Sequence, residues 1–258
     1  MSQELPTVLF FAGAFADPSC FDTFSKLLQT AGYPTAYAYV PSLNPSDPTA
    51  VSSSQDAQVT SENYLLPLLN QGKDVVIFAH SYGGIVGGAA AAGLSKASRA
   101  AAGMPGGVIG LIYCVGNIVG EGESLLQAVG GAYPPFIQEN QPSKGLAVIS
   151  PVIQTLYGEG AVSPETIPEL EAAMTPHSLK AFETPQTAPA WAESAFDGRR
   201  AYIRTIDDQC NPLFIQDIWI EKTAVKWKTV DVKSGHCPFI TQPEELAEIA
   251  VTLIKSWT

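Results

Sequence analysis

Charge, cysteine and histidine are all scarce in this chain of 258 residues, and each scarcity removes a class of function. Charged residues make up only 15% of it, and the 14 lysines and arginines are outnumbered by 25 aspartates and glutamates, for a net charge of -11. A phosphate backbone or an anionic membrane surface attracts the opposite balance, so neither nucleic acid nor membrane is expected as a partner. The four cysteines, Cys20, Cys114, Cys210 and Cys237, form no C-x-x-C pair, so no zinc site and no dithiol redox motif is expected. Free thiols in a reduced, cytoplasmic protein are the default reading. Long hydrophobic runs are missing as well. Val8 to Ala16 is apolar, but it falls well short of the roughly 20 residues that span a bilayer. No basic segment precedes it, so a signal peptide is not expected either. With only His80, His177 and His236 present, any chemistry that needs an imidazole must use one of three residues.

What is plentiful is apolar and turn-forming. Hydrophobic residues make up 46%, with 22 glycines and 20 prolines, the composition of a folded core joined by many loops. Apolar runs and amphipathic stretches alternate from the start. Leu5 to Ala12 reads as a strand, Ser19 to Thr30 as a helix, and Thr35 to Val40 as a strand. A loop over Pro41 to Ser54 precedes a helix ending near Leu69. Asp74 to Ala79 is a buried strand followed by a helix to about Ala101, and Gly107 to Val115 is another strand. The rhythm breaks between 116 and 197, where glycine, proline and short helical pieces such as Pro164 to Ala173 take over. It resumes with a strand at Ala201 to Ile206 and a helix capped by Asn211 with Pro212 first. A strand at Val225 to Val232 and a helix at Glu244 to Trp257 close the chain. Such alternation implies an α/β fold, a mostly parallel sheet with helices on both faces. Residues 1-115 and 198-258 are read as the core, and 116-197 as a cap inserted over the strand ends.

The most informative segment is Ala79-His80-Ser81-Tyr82-Gly83-Gly84, between a buried strand and a helix opened by small residues. A serine on so sharp a turn is pushed outward at the end of the sheet. Small residues two before and two after it, here Ala79 and Gly83, let strand and helix backbones pass closely. A serine hydroxyl needs a base. His80 adjoins Ser81, and neighbouring side chains on a tight turn diverge, so it is expected to pack beside the site. His177 lies in the irregular segment and is expected to face solvent or substrate. His236, on a loop after the last strand, is at the same sheet end as Ser81 and is the candidate base. Its orienting carboxylate is Asp208 or Asp207, both just beyond the strand Ala201 to Ile206. An oxyanion needs two preorganised N–H donors. The Tyr82 amide supplies one, and the Ala14 amide the other, on the loop where Gly13 permits close approach.

These segments together resemble the α/β-hydrolase superfamily, and within it the small plant-type methylesterase and hydroxynitrile lyase branch. The resemblance spans Val8 to Phe24, Ile77 to Gly84, Ala201 to Gln216 and Gly235 to Pro243. It implies the α/β-hydrolase fold, a Ser81–Asp208–His236 triad and no cofactor or metal. Tyr202, Ile203, Asp208, Pro212 and Gln216 match the family's pattern after the acid-bearing strand, which favours Asp208 over Asp207. Ala12 departs from it, since relatives commonly carry a histidine there that braces the oxyanion loop. Lyase relatives place a threonine where this chain has Gly13 and a lysine where it has Cys237.

The leading functional expectation is therefore a serine hydrolase cleaving a small apolar or aromatic carboxylic ester or lactone. A lyase using the same triad as a base, or a small-molecule binding protein on this fold, are the alternatives. Gly13, Phe15, His80, Tyr133, Phe136, Tyr157, His177 and Trp191 are the candidate substrate contacts, since ligand pockets are mostly apolar. The expected partner is a small molecule; oligomeric state is not addressed by the sequence.

Overall fold

A computed structural model describes residues 4–258. Among the described residues nine strands run in chain order: β1 (Thr7–Phe11), β2 (Thr35–Ala38), β3 (Asp74–His80), β4 (Gly107–Cys114), β5 (Ile137–Glu139), β6 (Leu146–Ile149), β7 (His177–Ser178), β8 (Arg200–Thr205) and β9 (Lys228–Val232). Six of them form one sheet in the order β2-β1-β3-β4-β8-β9, and the pairings that define it are parallel. β1, β3 and β4 are buried almost end to end, with no in-out alternation. That is the mark of parallel strands covered by helices on both faces. The chain leaves β1 for β2 on one side and returns to pair β3 on the other. A crevice opens at the carboxyl ends of strands where the order reverses in this way. The loop after β1 and the turn after β3 both sit at that crevice.

Aromatic packing sets the sheet against the helix Asp22–Thr30. The Phe10 ring stacks on Phe21 at 4.9 Å and meets Phe24 and Phe78 edge-on at 5.5 Å each. Phe21 in turn touches Phe239, 4.6 Å away, on the short helix Pro238–Thr241 that comes after β9. Offset and edge-on pairs of this kind add to the benefit of burying the rings.

Several boundaries differ from the sequence reading, each for a local reason. The helix after β3 ends at Ala90, and a separate one covers Lys96–Ala101. Gly93 takes a left-handed conformation between them, and the Ser95 hydroxyl caps the second helix by accepting from the Ser98 amide. The helix expected to be capped by Asn211 runs over Leu213–Lys222 with Pro212 as its cap. The Asn211 amide is occupied elsewhere, as described below. β9 begins three residues later than expected because Ala224 is left-handed and Thr223 Oγ1 accepts from the Val225 amide. The segment 116–197 is not merely helical fragments. It holds a three-stranded antiparallel sheet, β5-β6-β7, and its expected helix is trimmed to Ile167–Ala172. Among the described residues no helix is long and apolar enough to cross a membrane.

Phe78 is fully buried at the centre of the aromatic cluster. Phe78→Ala is expected to lower stability by about 3–5 kcal/mol through the cavity it leaves. Urea unfolding checks this: the midpoint falls while the slope holds.

Candidate active site

Ser81 sits where β3 turns into the helix Gly83–Ala90, with φ at 50°, a left-handed backbone that non-glycine residues seldom adopt. The turn is tight because the helix backbone passes against the end of β1. A Cβ on Gly83 would lie 2.2 Å from the Phe11 carbonyl oxygen and 2.7 Å from that of Ala12. No side chain fits. Ala79, in register with Phe11 on one side and Tyr113 on the other, is completely buried. The Ser81 carbonyl accepts from the amides of Gly84 and Asn117, both at 2.8 Å. The surrounding bonds thus hold a conformation the serine would not choose by itself.

The loops after β8 and β9 bring an acid and an imidazole to the same end of the sheet. His236 Nδ1 lies 2.7 Å from Asp208 Oδ2, and both side chains are buried. That carboxylate is fixed from every direction. Oδ2 also accepts from Thr205 Oγ1 at 2.7 Å, and Oδ1 accepts from the amides of Cys210 at 2.8 Å and Asn211 at 2.9 Å. Asp207 is exposed, and its amide donates to the Ser234 carbonyl instead. Burial by itself disfavours a charged His236, but the carboxylate of Asp208 outweighs it and holds the imidazole well above 6.5. His80 stands beside this pair, its ring 4.7 Å from that of His236. His80 Nε2 donates to the His236 carbonyl at 2.9 Å, and burial keeps it neutral, with a pKa well below 6.5.

Ser81, His80 and His236 line a cavity of about 880 Å³, measured to its walls and including its mouth. Ala14, Phe15, Tyr82, Tyr133, Phe136 and Tyr157 line it too. Among the described residues no aspartate, glutamate, lysine or arginine lines it. The backbone amides of Ala14 and Tyr82 donate to no other group among the described residues. Gly13 lies just behind the wall. A Cβ there would be 2.8 Å from His80 Nδ1 and 3.1 Å from Ser81 Cβ.

Two expected contacts are corrected. His177 faces neither solvent nor substrate: it is 0% exposed, with Nε2 2.9 Å from Ser42 Oγ, and burial lowers its pKa to about 3. Trp191 is buried away from the cavity, where its carbonyl accepts from Arg200 Nε and its indole packs near Gly88. Phe182 lines the cavity as well, and Met174 and Leu125 line it and were missed. They belong to the segment without periodicity, and only the excess of apolar side chains there hinted at them. Cys20, Cys210 and Cys237 also line it. Among the described residues no cluster of three or more His, Cys, Asp or Glu side chains is arranged to hold a metal ion.

An outward serine on a strand–helix elbow, beside a histidine–carboxylate pair at the carboxyl end of a parallel sheet, defines an α/β-hydrolase architecture. Residues 8–249 match the alpha/beta hydrolase family, and the chain belongs to it. It is 23% identical to the alpha/beta hydrolase nvfD of Aspergillus novofumigatus over 93% of this chain and 92% of that one. Its fold is similar to that of a pyrethroid hydrolase from Sphingobium faniae, with a TM-score of 0.74 at 19% identity over 97% and 98% of the two chains. It is also similar to methylesterase protein MES16 from Arabidopsis, with a TM-score of 0.69 at 17% identity over 97% and 99%.

The raised pKa of His236 carries a sign. Its contribution to stability is full below 6.5, the value in the unfolded chain, and is lost as pH rises through the folded-state value. NMR titration of the imidazole is expected to give a midpoint above 6.5, and Asp208→Asn to bring it down. A midpoint unmoved by that substitution counts against the pairing.

Proposed function

We propose that the protein is a cofactor-free serine esterase acting on a neutral, apolar or aromatic carboxylic ester or lactone. The observation that carries this reading is the strained Ser81 opening onto a largely apolar cavity shared with His236, which is itself bonded to the buried Asp208. In the proposed cycle, Ser81 Oγ attacks the ester carbonyl while His236 Nε2 takes its proton. Asp208 holds Nδ1–H and stabilises the imidazolium. The Ala14 and Tyr82 amides receive the oxyanion. His236 then gives its proton to the departing alcohol, and a water activated the same way releases the acid. Phe15, Phe136 and Tyr157 supply apolar walls, and Tyr133, with its hydroxyl on Glu183, supplies another. A cavity lined by no lysine or arginine offers little to offset the desolvation of an anionic substrate, which favours neutral esters. The names of the pyrethroid hydrolase and the methylesterase with similar folds agree with ester cleavage. Four free cysteines support a reducing, cytoplasmic setting.

The lyase reading gains no support from the site. Cys237 stands where a lysine would be needed, and a thiol, which burial here keeps neutral, cannot supply a cation. His80 occupies the room that a side chain at position 13 would need.

Ser81→Ala is expected to reduce aryl-ester hydrolysis by roughly 10⁶-fold, the typical cost of losing such a nucleophile. A fluorophosphonate should label Ser81 alone, as read by mass spectrometry; a label on another serine overturns the assignment. Asp208→Asn is expected to cost about 10⁴-fold by holding the wrong imidazole tautomer, while Asp207→Asn leaves the rate nearly unchanged. Mandelonitrile should release cyanide no faster than in buffer. Cyanide release that depends on Ser81, with every ester inert, would reverse the choice of reaction.

A further inference from the structure

Beneath the elbow lies a buried polar network for which the triad has no use. Asp56, on the helix Ser53–Thr60, is 0% exposed. Among the described residues no cation pairs with it. Its carboxylate instead accepts three hydrogen bonds: at Oδ1 from the Ser42 amide at 3.0 Å, and at Oδ2 from the Ser42 hydroxyl at 2.5 Å and the Tyr82 phenol at 2.6 Å. Because the Ser42 hydroxyl donates to Asp56, its oxygen is left to accept from His177 Nε2. His177 is therefore neutral with its proton on Nε2, and its Nδ1 is a bare lone pair, which fits the absence of any partner there. Every hydrogen in the network is assigned once the carboxylate is ionised.

The residues come from four separate stretches: the loop after β2, the helix Ser53–Thr60, the elbow, and β7. Burial raises the pKa of Asp56 to about 6, opposed by its bonds from Ser42 and Tyr82. Tyr82 and, through Ser42, His177 are the titratable side chains bonded into it. An ionised acceptor out of water makes short, strong hydrogen bonds, and it fixes whatever donates to it. The donor that matters is Tyr82, since its backbone amide follows Ser81 directly. The phenol is held at 2.6 Å, and the ring packs edge-on against Phe182 at 5.6 Å and His177 at 4.9 Å, so the side chain is anchored at both its ring and its hydroxyl.

We propose that Asp56 is a positioning residue for the reaction: by anchoring the Tyr82 phenol it fixes the Tyr82 amide at the site where the oxyanion develops. This rests on the esterase reading above. Preorganised donors act because they need not reorient as charge appears. A looser Tyr82 would bind substrate as before and stabilise the tetrahedral intermediate less.

The test uses Tyr82→Phe, which keeps the ring and the amide and deletes only the bond to Asp56, with Asp56→Asn as the second variant. Two inhibitors of equal shape are compared: an aryl-alkyl trifluoromethyl ketone, which adds Ser81 and forms an oxyanion, and the matching ether, which cannot. For Tyr82→Phe, kcat on an aryl ester and affinity for the ketone should each fall by about 10-fold, less than the loss from deleting an oxyanion donor outright. Affinity for the ether and KM should stay within about twofold, because neither reads the oxyanion. Asp56→Asn should show the same split. If it fails to fold, as judged by circular dichroism, Tyr82→Phe decides alone. Equal losses for ketone and ether, or no loss for either, overturn the proposal. Fluorophosphonate labelling of wild-type Ser81 keeps the two readings separate. An unlabelled wild-type protein defeats the esterase itself, whereas a labelled one with unselective variants defeats only the role of Asp56.

Discussion

The structure depends on how closely one helix backbone passes one strand backbone. At Gly83 the gap to the Phe11 carbonyl is too small for a single methyl group. That contact seats the helix Gly83–Ala90 against β1, and it leaves the chain too little room to turn through Ser81 in an ordinary conformation. The left-handed φ of Ser81 follows, and the amides of Gly84 and Asn117 hold it there. A strained residue of this kind costs about 1–3 kcal/mol, so the packing around it has to supply at least as much. The buried strands β1, β3 and β4 and the aromatic cluster on Phe10 are well able to do so. The same approach of backbones brings the loop at Gly13 up against Ser81. The proposed nucleophile and the proposed oxyanion donors are therefore consequences of one steric fact.

Two buried carboxylates flank this turn, and they are handled differently. Asp208 is neutralised in part by His236, and its other lone pairs are filled by Thr205 and two backbone amides. Asp56 meets only neutral donors. Removing one partner from a buried charge pair leaves the other uncompensated, at a cost of about 3–5 kcal/mol. Hydroxyl and amide donors are gentler neighbours, and the raised pKa of Asp56 reflects the charge that stays without a counterion. Both arrangements keep the carboxylates out of the cavity wall while holding its edges in place. The cavity stays largely apolar because those carboxylates sit behind it.

What could be read from the sequence was what is local. The elbow announces itself because small residues, a serine and a turn must all fall within six positions. The parallel sheet follows from apolar runs separated by helical spacing. Choosing between Asp207 and Asp208 lay beyond spacing, because both follow β8 directly. It is the capture of Asp208 Oδ1 by the Cys210 and Asn211 amides that turns one carboxylate inward and leaves its neighbour exposed. His177 was misread because its burial depends on Ser42, far away in the chain. A polar side chain in an irregular segment looks exposed until its partner is known. The sheet β5-β6-β7 escaped notice for a related reason. Its strands are two to four residues long, too short to show a period, and their pairing with distant neighbours defines them.

His177 also shows how the inserted segment is tied to the chemistry. It lies on β7, bonds to Ser42 in the core, and stacks on Phe182 at 5.0 Å with the rings 4° from parallel. Phe182 is a cavity wall, and its other aromatic neighbours are Tyr133 at 6.4 Å, Phe15 at 5.9 Å and Tyr82 at 5.6 Å. Phe15 belongs to the loop after β1, and Tyr82 to the elbow. One packed unit thus joins the wall that would meet the substrate's apolar groups to both loops that would meet its carbonyl. Interiors packed at this density do not yield smoothly, so a displaced wall strains the loops behind it. Under the proposed mechanism, selectivity for substrate shape and stabilisation of the intermediate would then not be independent properties. A substrate that seated badly against Phe182 would also misplace the proposed oxyanion donors, the amides of Ala14 and Tyr82, and the rate would suffer as much as the affinity.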